Sequence, residues 1–357
     1  MTRSRSTGSV ATATVVVAVL VGGALTACSA SEGTADTASP SVESPTASTP
    51  TSTATTTTTA TTVPATTVPT TTVPTTTVPP VPTTTMPATT APPARLETGS
   101  SVDELAARLS ANHATIVDAS AAPDERARAG VEYQLVLRVL ADRPDLDEAV
   151  LAAIEPAALP AVDGVVRARQ FLQQRTVSRP PQPIPDELPA WTIVEPEPVD
   201  VLLAHYAEAE RLTGIPWYWL AAIHLQETRM GRIQGVSTAG AVGPMQFLPT
   251  TWAVCCTGDP TVTRDAIIGA ATYLSQSGGP DDMAAAVYQY NPNDGYVAVV
   301  TAYAISLRDE PELYTGYHAF QVFFGTSVGT VRLPIGYSEL APIDTTGHLA
   351  SNPQDAA

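Results

Sequence analysis

Residues 29–95 limit what the rest of the chain can become. The stretch is almost entirely Thr, Pro, Ser, Ala and Val and holds no aromatic residue. Such a composition cannot bury enough apolar surface to offset its ordering entropy, so it predicts a disordered linker. A TTVP unit recurs with prolines at Pro64, Pro69, Pro74 and Pro79. Proline at that spacing suppresses helix and favours extended polyproline II. Fully extended at about 3.1 Å per residue, the stretch reaches roughly 200 Å, and a fluctuating ensemble is shorter. A tether that searches a thick layer and a plain solvated spacer, with Thr open to glycosylation, both fit this composition. Folded mass is thereby confined to residues 96–345 of the 357, enough for one good core and a smaller helical unit.

The segment before the linker reads as an export signal. Arg3 and Arg5 form a positive start, and residues 10–25 are an uncharged apolar and small-residue run. That is the shape of a secretory signal over residues 1–27, too short for a confident membrane-spanning helix. It ends in Leu25-Thr26-Ala27-Cys28, which resembles the lipobox of bacterial lipoproteins. The resemblance implies cleavage before Cys28 and lipidation of Cys28. Acyl chains there would hold residues 28–95 and the folded part at the outer face of a membrane.

The net charge of −17 argues against nucleic acid as a partner, because a basic footprint is missing. Of the three cysteines, Cys28, Cys255 and Cys256, none lies in a zinc-binding spacing, so the sequence offers no metal site. In an oxidising compartment Cys255 and Cys256 fit either a vicinal disulfide or free thiols.

Residues 96–178 read as a helical segment. Ser101-Val102-Asp103-Glu104 is a capping-box start, with Val102, Leu105 and Leu109 following at helical spacing. Pro123-Asp124-Glu125 opens a second helix with Val131, Leu135 and Val139 on one face, and residues 145–154 and 163–174 carry two further helical patterns. No acid/base or nucleophile constellation appears, and His113 is alone. Prolines at 180, 181, 183, 185 and 189 mark a boundary.

The chemistry lies in residues 190–310. Residues 199–212 form an amphipathic pattern stopped by Gly214, and Pro216 suits the start of the next helix. In that helix Leu220, Ile223 and Glu227 share one face. A carboxylate among core residues is desolvated, which raises its pKa and suits a general acid. A Glu at a helix end, solvated or paired with Arg229 or Arg232, is the plainer alternative. The loop Gly243-Pro244-Met245-Gln246 follows, with Gly240 and Gly243 permitting tight backbone and Pro249-Thr250-Thr251-Trp252 starting another helix.

Taken together, E-T-x-x-G (Glu227, Thr228, Gly231), G-P-M-Q-F-x-P-x-T-W (residues 243–252), and Y-N followed by Y-V (Tyr290-Asn291, Tyr296-Val297) resemble the SLT-type lytic transglycosylases. The similarity covers about residues 215–304, and the wording IPWYWLAAI, GPMQFLPTTW and DAIIGAATYL looks closest to actinobacterial, lipoprotein-type members. The resemblance implies a mainly α fold: a lysozyme-like domain preceded by the helical segment and the disordered linker. It implies cleavage of the β-1,4 bond between N-acetylmuramic acid and N-acetylglucosamine in peptidoglycan, leaving 1,6-anhydro ends, without a metal or cofactor. Glu227 takes the place of the single catalytic acid/base. Thr228 replaces the usual Ser, in a local structural role beside the substrate. Gly243, Met245 and Gln246 line the sugar cleft, and Tyr290 and Asn291 orient the acid or the substrate. Peptidoglycan strands and, through Cys28, a membrane are the implied partners.

A hydrolase of the same bond normally needs a second carboxylate. Asp265, and Asp281 with Asp282, read as helix starts, and Asp294-Gly295 reads as a turn. Asp259, in a Gly/Pro-containing loop, stays open. A non-catalytic glycan-binding lipoprotein is the alternative from another class. His224-x-x-Glu227 lacks a third metal ligand. Residues 311–345 read as a short β-like extension, and 346–357 as a frayed tail.

Overall fold

The computed structural model describes residues 100–176 and 184–357. The export signal, Cys28 and the linker expected over 28–95 lie outside the described residues. What is described is mainly helical, the architecture that the lysozyme-like resemblance implies.

The N-terminal helices follow their sequence signals closely. Helix α1 (Val102–Val117) starts at Ser101, whose hydroxyl accepts the Glu104 amide at 3.2 Å, one half of the expected capping box. Helix α2 (Pro123–Asp142) has its proline in the first turn, where the missing N–H costs nothing. Its buried face overlaps the expected one only at Val139, which is buried in the core. Tyr133, Val136, Leu137 and Leu140 point inward, while Val131 and Leu135 are half-buried. Leu135 instead packs against a second, smaller core. A short 3₁₀ turn (Pro144–Leu146) leads into α3 (Asp147–Ala153) and α4 (Leu159–Thr176).

Two short strands follow, β1 (Glu187–Leu188) and β2 (Thr192–Ile193), then α5 (Val199–Thr213) and α6 (Trp217–Thr228). Gly214 ends α5 at φ 79°, the left-handed position that glycine fills without strain. Helix α6 buries every residue from Leu220 to Gln226. A helix apolar on all sides belongs at the centre of a core, and α6 packs against α5 and later helices. Beyond it come β3 (Ile233–Gln234), α7 (Pro249–Cys255), α8 (Thr263–Gln276), α9 (Met283–Tyr290) and α10 (Asp294–Asp309). Asp294 and Gly295 are the first residues of α10, not a turn. The Asn293 side chain accepts the amides of Gly295 and Tyr296 at 2.9 and 3.3 Å and so caps the helix there.

Helix α10 lies against both α4 and α6, and one continuous core runs from Leu105 to Phe320. The N-terminal helices therefore share their interior with the helices that carry the sequence motifs. Helix α11 (Leu313–His318) crosses α2 closely: a Cβ on Gly130 would meet the backbone of Gly316.

The second core, including Leu188, Ile193, Val322, Phe323, Val331 and Leu333, is built on small antiparallel sheets. Strand β4 (Val322–Thr326) pairs with β5 (Gly329–Leu333), Val322 opposite Leu333. Strand β1 pairs with β6 (Ile343–Asp344), and β2 with β3. The expected fraying of residues 346–357 is not what forms. Helix α12 (Thr345–Ser351) is capped by Asp344, and the Ala357 amide donates to Thr330 O at 3.0 Å. Asp355 is buried between Arg332 and His348, 3.3 and 3.2 Å away. The Asp355–Arg332 ion pair ties the segment to β5, which its polar, small-residue sequence does not announce. Among the described residues, no helix is long and apolar enough to cross a membrane.

Candidate active site

Glu227 sits in the last turn of α6, half-buried. Burial, partly offset by a hydrogen bond from Tyr296, leaves its carboxyl raised to about 7. The Tyr296 hydroxyl donates to Glu227 Oε1 at 2.5 Å. The negative end of the helix dipole adds to the bias against ionisation. A carboxyl poised near neutrality can give a proton in one step and take one in the next.

The chain turns sharply after this helix. Arg229, Met230 and Gly231 all have positive φ, at 55°, 62° and 86°. For the two non-glycine residues that costs about 1–2 kcal/mol each, and local bonds offset it. The Arg229 guanidinium donates to Leu225 O at 2.6 Å, and the Met230 amide to His224 O at 3.2 Å. The reversal sends the chain back through β3 towards the Gly243-Pro244-Met245-Gln246 turn.

That turn is closed by Val242 and Phe247, whose backbones exchange hydrogen bonds of 2.9 and 3.0 Å. Gly243 has φ 76°, and a Cβ there would run into Pro260 O, so the position admits only glycine. The Gln246 side-chain amide donates back to Gly243 O at 2.9 Å. Two side chains fasten the turn from outside. Thr228 Oγ1 donates to Pro244 O at 2.6 Å while accepting the Gly231 amide at 3.0 Å. Tyr290 Oη donates to Met245 O at 2.5 Å. The Phe247 ring packs edge-on against Trp252 and Tyr290, with centroids 5.0 and 5.5 Å away.

These bonds bring most of the sequence-derived residues together and divide them by role. Gly243, Gln246, Tyr290 and Asn291 are partly exposed around the turn and the end of α9, as Glu227 is at the end of α6. Thr228 and Met245 are wholly buried, so neither offers a side chain to a ligand in this arrangement. Thr228 braces the turn, and Met245 contributes its carbonyl to Tyr290. Tyr296 belongs to the site although sequence reasoning gave it no role. Its signal in the sequence is the Y-V pair, six positions beyond the Y-N pair.

Three of the acidic candidates for a second catalytic group, Asp259, Asp265 and Asp282, are engaged in local bonds. Asp259 Oδ1 accepts the Thr261 amide and hydroxyl at 2.8 and 2.7 Å, and these bonds hold its carboxyl below the usual range. Asp265 accepts the Asp259 amide at 3.1 Å, and Asp282 caps α9 through the Ala285 amide at 3.0 Å. His224, one turn before Glu227, is fully buried, with Nδ1 2.7 Å from the Tyr206 hydroxyl. Burial lowers it to about 3, so it stays neutral.

No family model and no solved structure matches the chain. Over 110 residues it is 31% identical to the membrane-bound lytic murein transglycosylase F of Thiobacillus denitrificans, which is 29% of this chain and 23% of that relative. The chain thus spans less than a quarter of the relative's length, and what it shares with a lytic murein transglycosylase is a similarity over that stretch.

Proposed function

We propose that this protein is a lytic transglycosylase that cleaves the MurNAc–GlcNAc bond of peptidoglycan, with Glu227 as its single acid/base. The observation that carries the proposal is the half-buried Glu227 carboxyl, held near neutrality by burial and bonded by Tyr296. The partial similarity to a lytic murein transglycosylase supports the same substrate.

In the proposed reaction the protonated Glu227 gives its proton to the glycosidic oxygen as the bond to the anomeric carbon breaks. The resulting carboxylate then takes the proton of the muramoyl 6-hydroxyl, whose oxygen closes on that carbon. The product is a 1,6-anhydro end, no water is consumed, and Glu227 returns protonated. One carboxyl suffices because the nucleophile is part of the substrate. Gly243, Gln246, Tyr290 and Asn291 are the proposed sugar-facing residues. A lipidated Cys28 would keep the enzyme at the outer membrane face while the linker lets it reach the wall.

Purified Glu227→Gln protein tested on sacculi examines the proposal. Loss of glycan cleavage with the fold retained supports it. Undiminished cleavage refutes it, and glycan binding without turnover by the unaltered protein would make it a binding protein instead.

A further inference from the structure

We propose that the Cys255–Cys256 disulfide is a redox-sensitive latch on the Gly243–Gln246 turn, opened by small thiols and closed again by exchange with an oxidised small disulfide. Its effect on activity rests on the function proposed above; its effect on the turn does not.

The two cysteines are sequence neighbours joined to each other. Both are partly exposed, so a thiolate in solution can reach them. Their bond closes a small ring across the last residue of α7 and the first residue of the loop after it. That ring restrains how the loop leaves the helix.

Both flanks of the ring bear on the turn. Upstream, Trp252 packs against Phe247 at 5.0 Å, and Phe247 pairs with Val242 to close the turn. The Trp252 indole N–H also reaches across the ring to Gly258 O at 3.3 Å. Downstream, the carbonyl of Pro260 presses against Gly243. Releasing the ring therefore loosens the support of the turn from two directions.

The exchange balances with two thiol molecules. The first, as thiolate, attacks one protein sulfur, breaks the protein S–S bond and forms a mixed disulfide. The second displaces the protein thiolate and leaves as the oxidised small disulfide. Two protons end on Cys255 and Cys256. The reduced thiols have acceptors at hand: Gly269 O lies 3.5 Å from Cys256 Sγ and Trp252 O 4.0 Å from Cys255 Sγ. The open state is thereby provided with partners.

The test compares amide hydrogen exchange in the full chain with and without dithiothreitol. Exchange at Val242 and Phe247 should quicken about tenfold on reduction, as for a local opening, while the amides of α6 keep their protection. Cleavage of sacculi should fall in parallel and recover when dithiothreitol is replaced by oxidised glutathione, which accepts the two electrons by exchange. A Cys255→Ser/Cys256→Ser variant should exchange fast in both conditions. Equal protection of Val242 and Phe247 in oxidised and reduced wild-type protein would overturn the latch, as would cleavage that does not respond to reduction. Absence of cleavage in both states would count against the proposed function, and the exchange measurement would still decide the latch.

Discussion

Tyr296 Oη donates to Glu227 Oε1 across 2.5 Å, although the two residues lie 69 positions apart in the chain. This bond sets both the direction of the carboxyl and part of its acidity. Tyr296→Phe keeps the ring, which is almost wholly buried, and removes the donor. Since Tyr296 lowers the Glu227 pKa, its loss should raise it. The basic limb of the kcat/KM profile should move to higher pH while the rate at the optimum falls about ten- to a hundred-fold through lost positioning. A pH–rate comparison on soluble glycan fragments measures both. A rate loss with an unmoved limb would separate Tyr296 from the acidity of Glu227.

Glu227→Gln should also change how stability depends on pH. The folded carboxyl titrates at about 7 rather than 4.5, so in the unfolded chain it ionises earlier. The stability that the protonated group gives below its unfolded pKa is lost as pH rises through the folded one. Glutamine does not titrate. The variant should match wild type near pH 4.5 and exceed it by roughly 2–3 kcal/mol at pH 8. Urea unfolding at the two pH values checks this.

Thr228 is predicted to act as a brace. Thr228→Val keeps shape but leaves the carbonyl of Pro244 and the amide of Gly231 without a partner, which costs about 1–3 kcal/mol. Thr228→Ser retains the hydroxyl and should restore most of that stability and of the activity. Equal behaviour of the two variants in thermal unfolding would remove the brace.

Gly243→Ala should be more damaging than an exposed loop substitution. Its φ of 76° and the carbonyl of Pro260 both oppose a side chain. A loss of about 2 kcal/mol or more is expected, with a raised KM because the turn must shift. Calorimetry and steady-state kinetics together test it.

How much of this was legible in the sequence depends on the range of the interaction. Gly214 as a helix stop, Pro123 at a helix start and the Gly243–Gln246 turn are local events, and their residues announce them. The depth of Glu227 was readable from its apolar helix. The bond to Tyr296 was not, because two helices far apart in sequence must first pack. The same applies to Thr228, whose hydroxyl finds Pro244 only after the chain reverses at Arg229 and Met230. On α2 Val139 meets the shared core as its spacing implies, whereas Tyr133 takes the place expected of Val131. Residues 346–357 looked free to fray because the Arg332–Asp355–His348 cluster joins groups that only the fold brings together.

Mass spectrometry of the glycan ends released from purified sacculi by the wild-type protein distinguishes the lytic route from hydrolysis. Intramolecular attack by the 6-hydroxyl predicts 1,6-anhydro-MurNAc ends, and their loss in Glu227→Gln. Reducing ends, heavier by one water, would contradict intramolecular attack and require a hydrolytic mechanism with a second group that activates water.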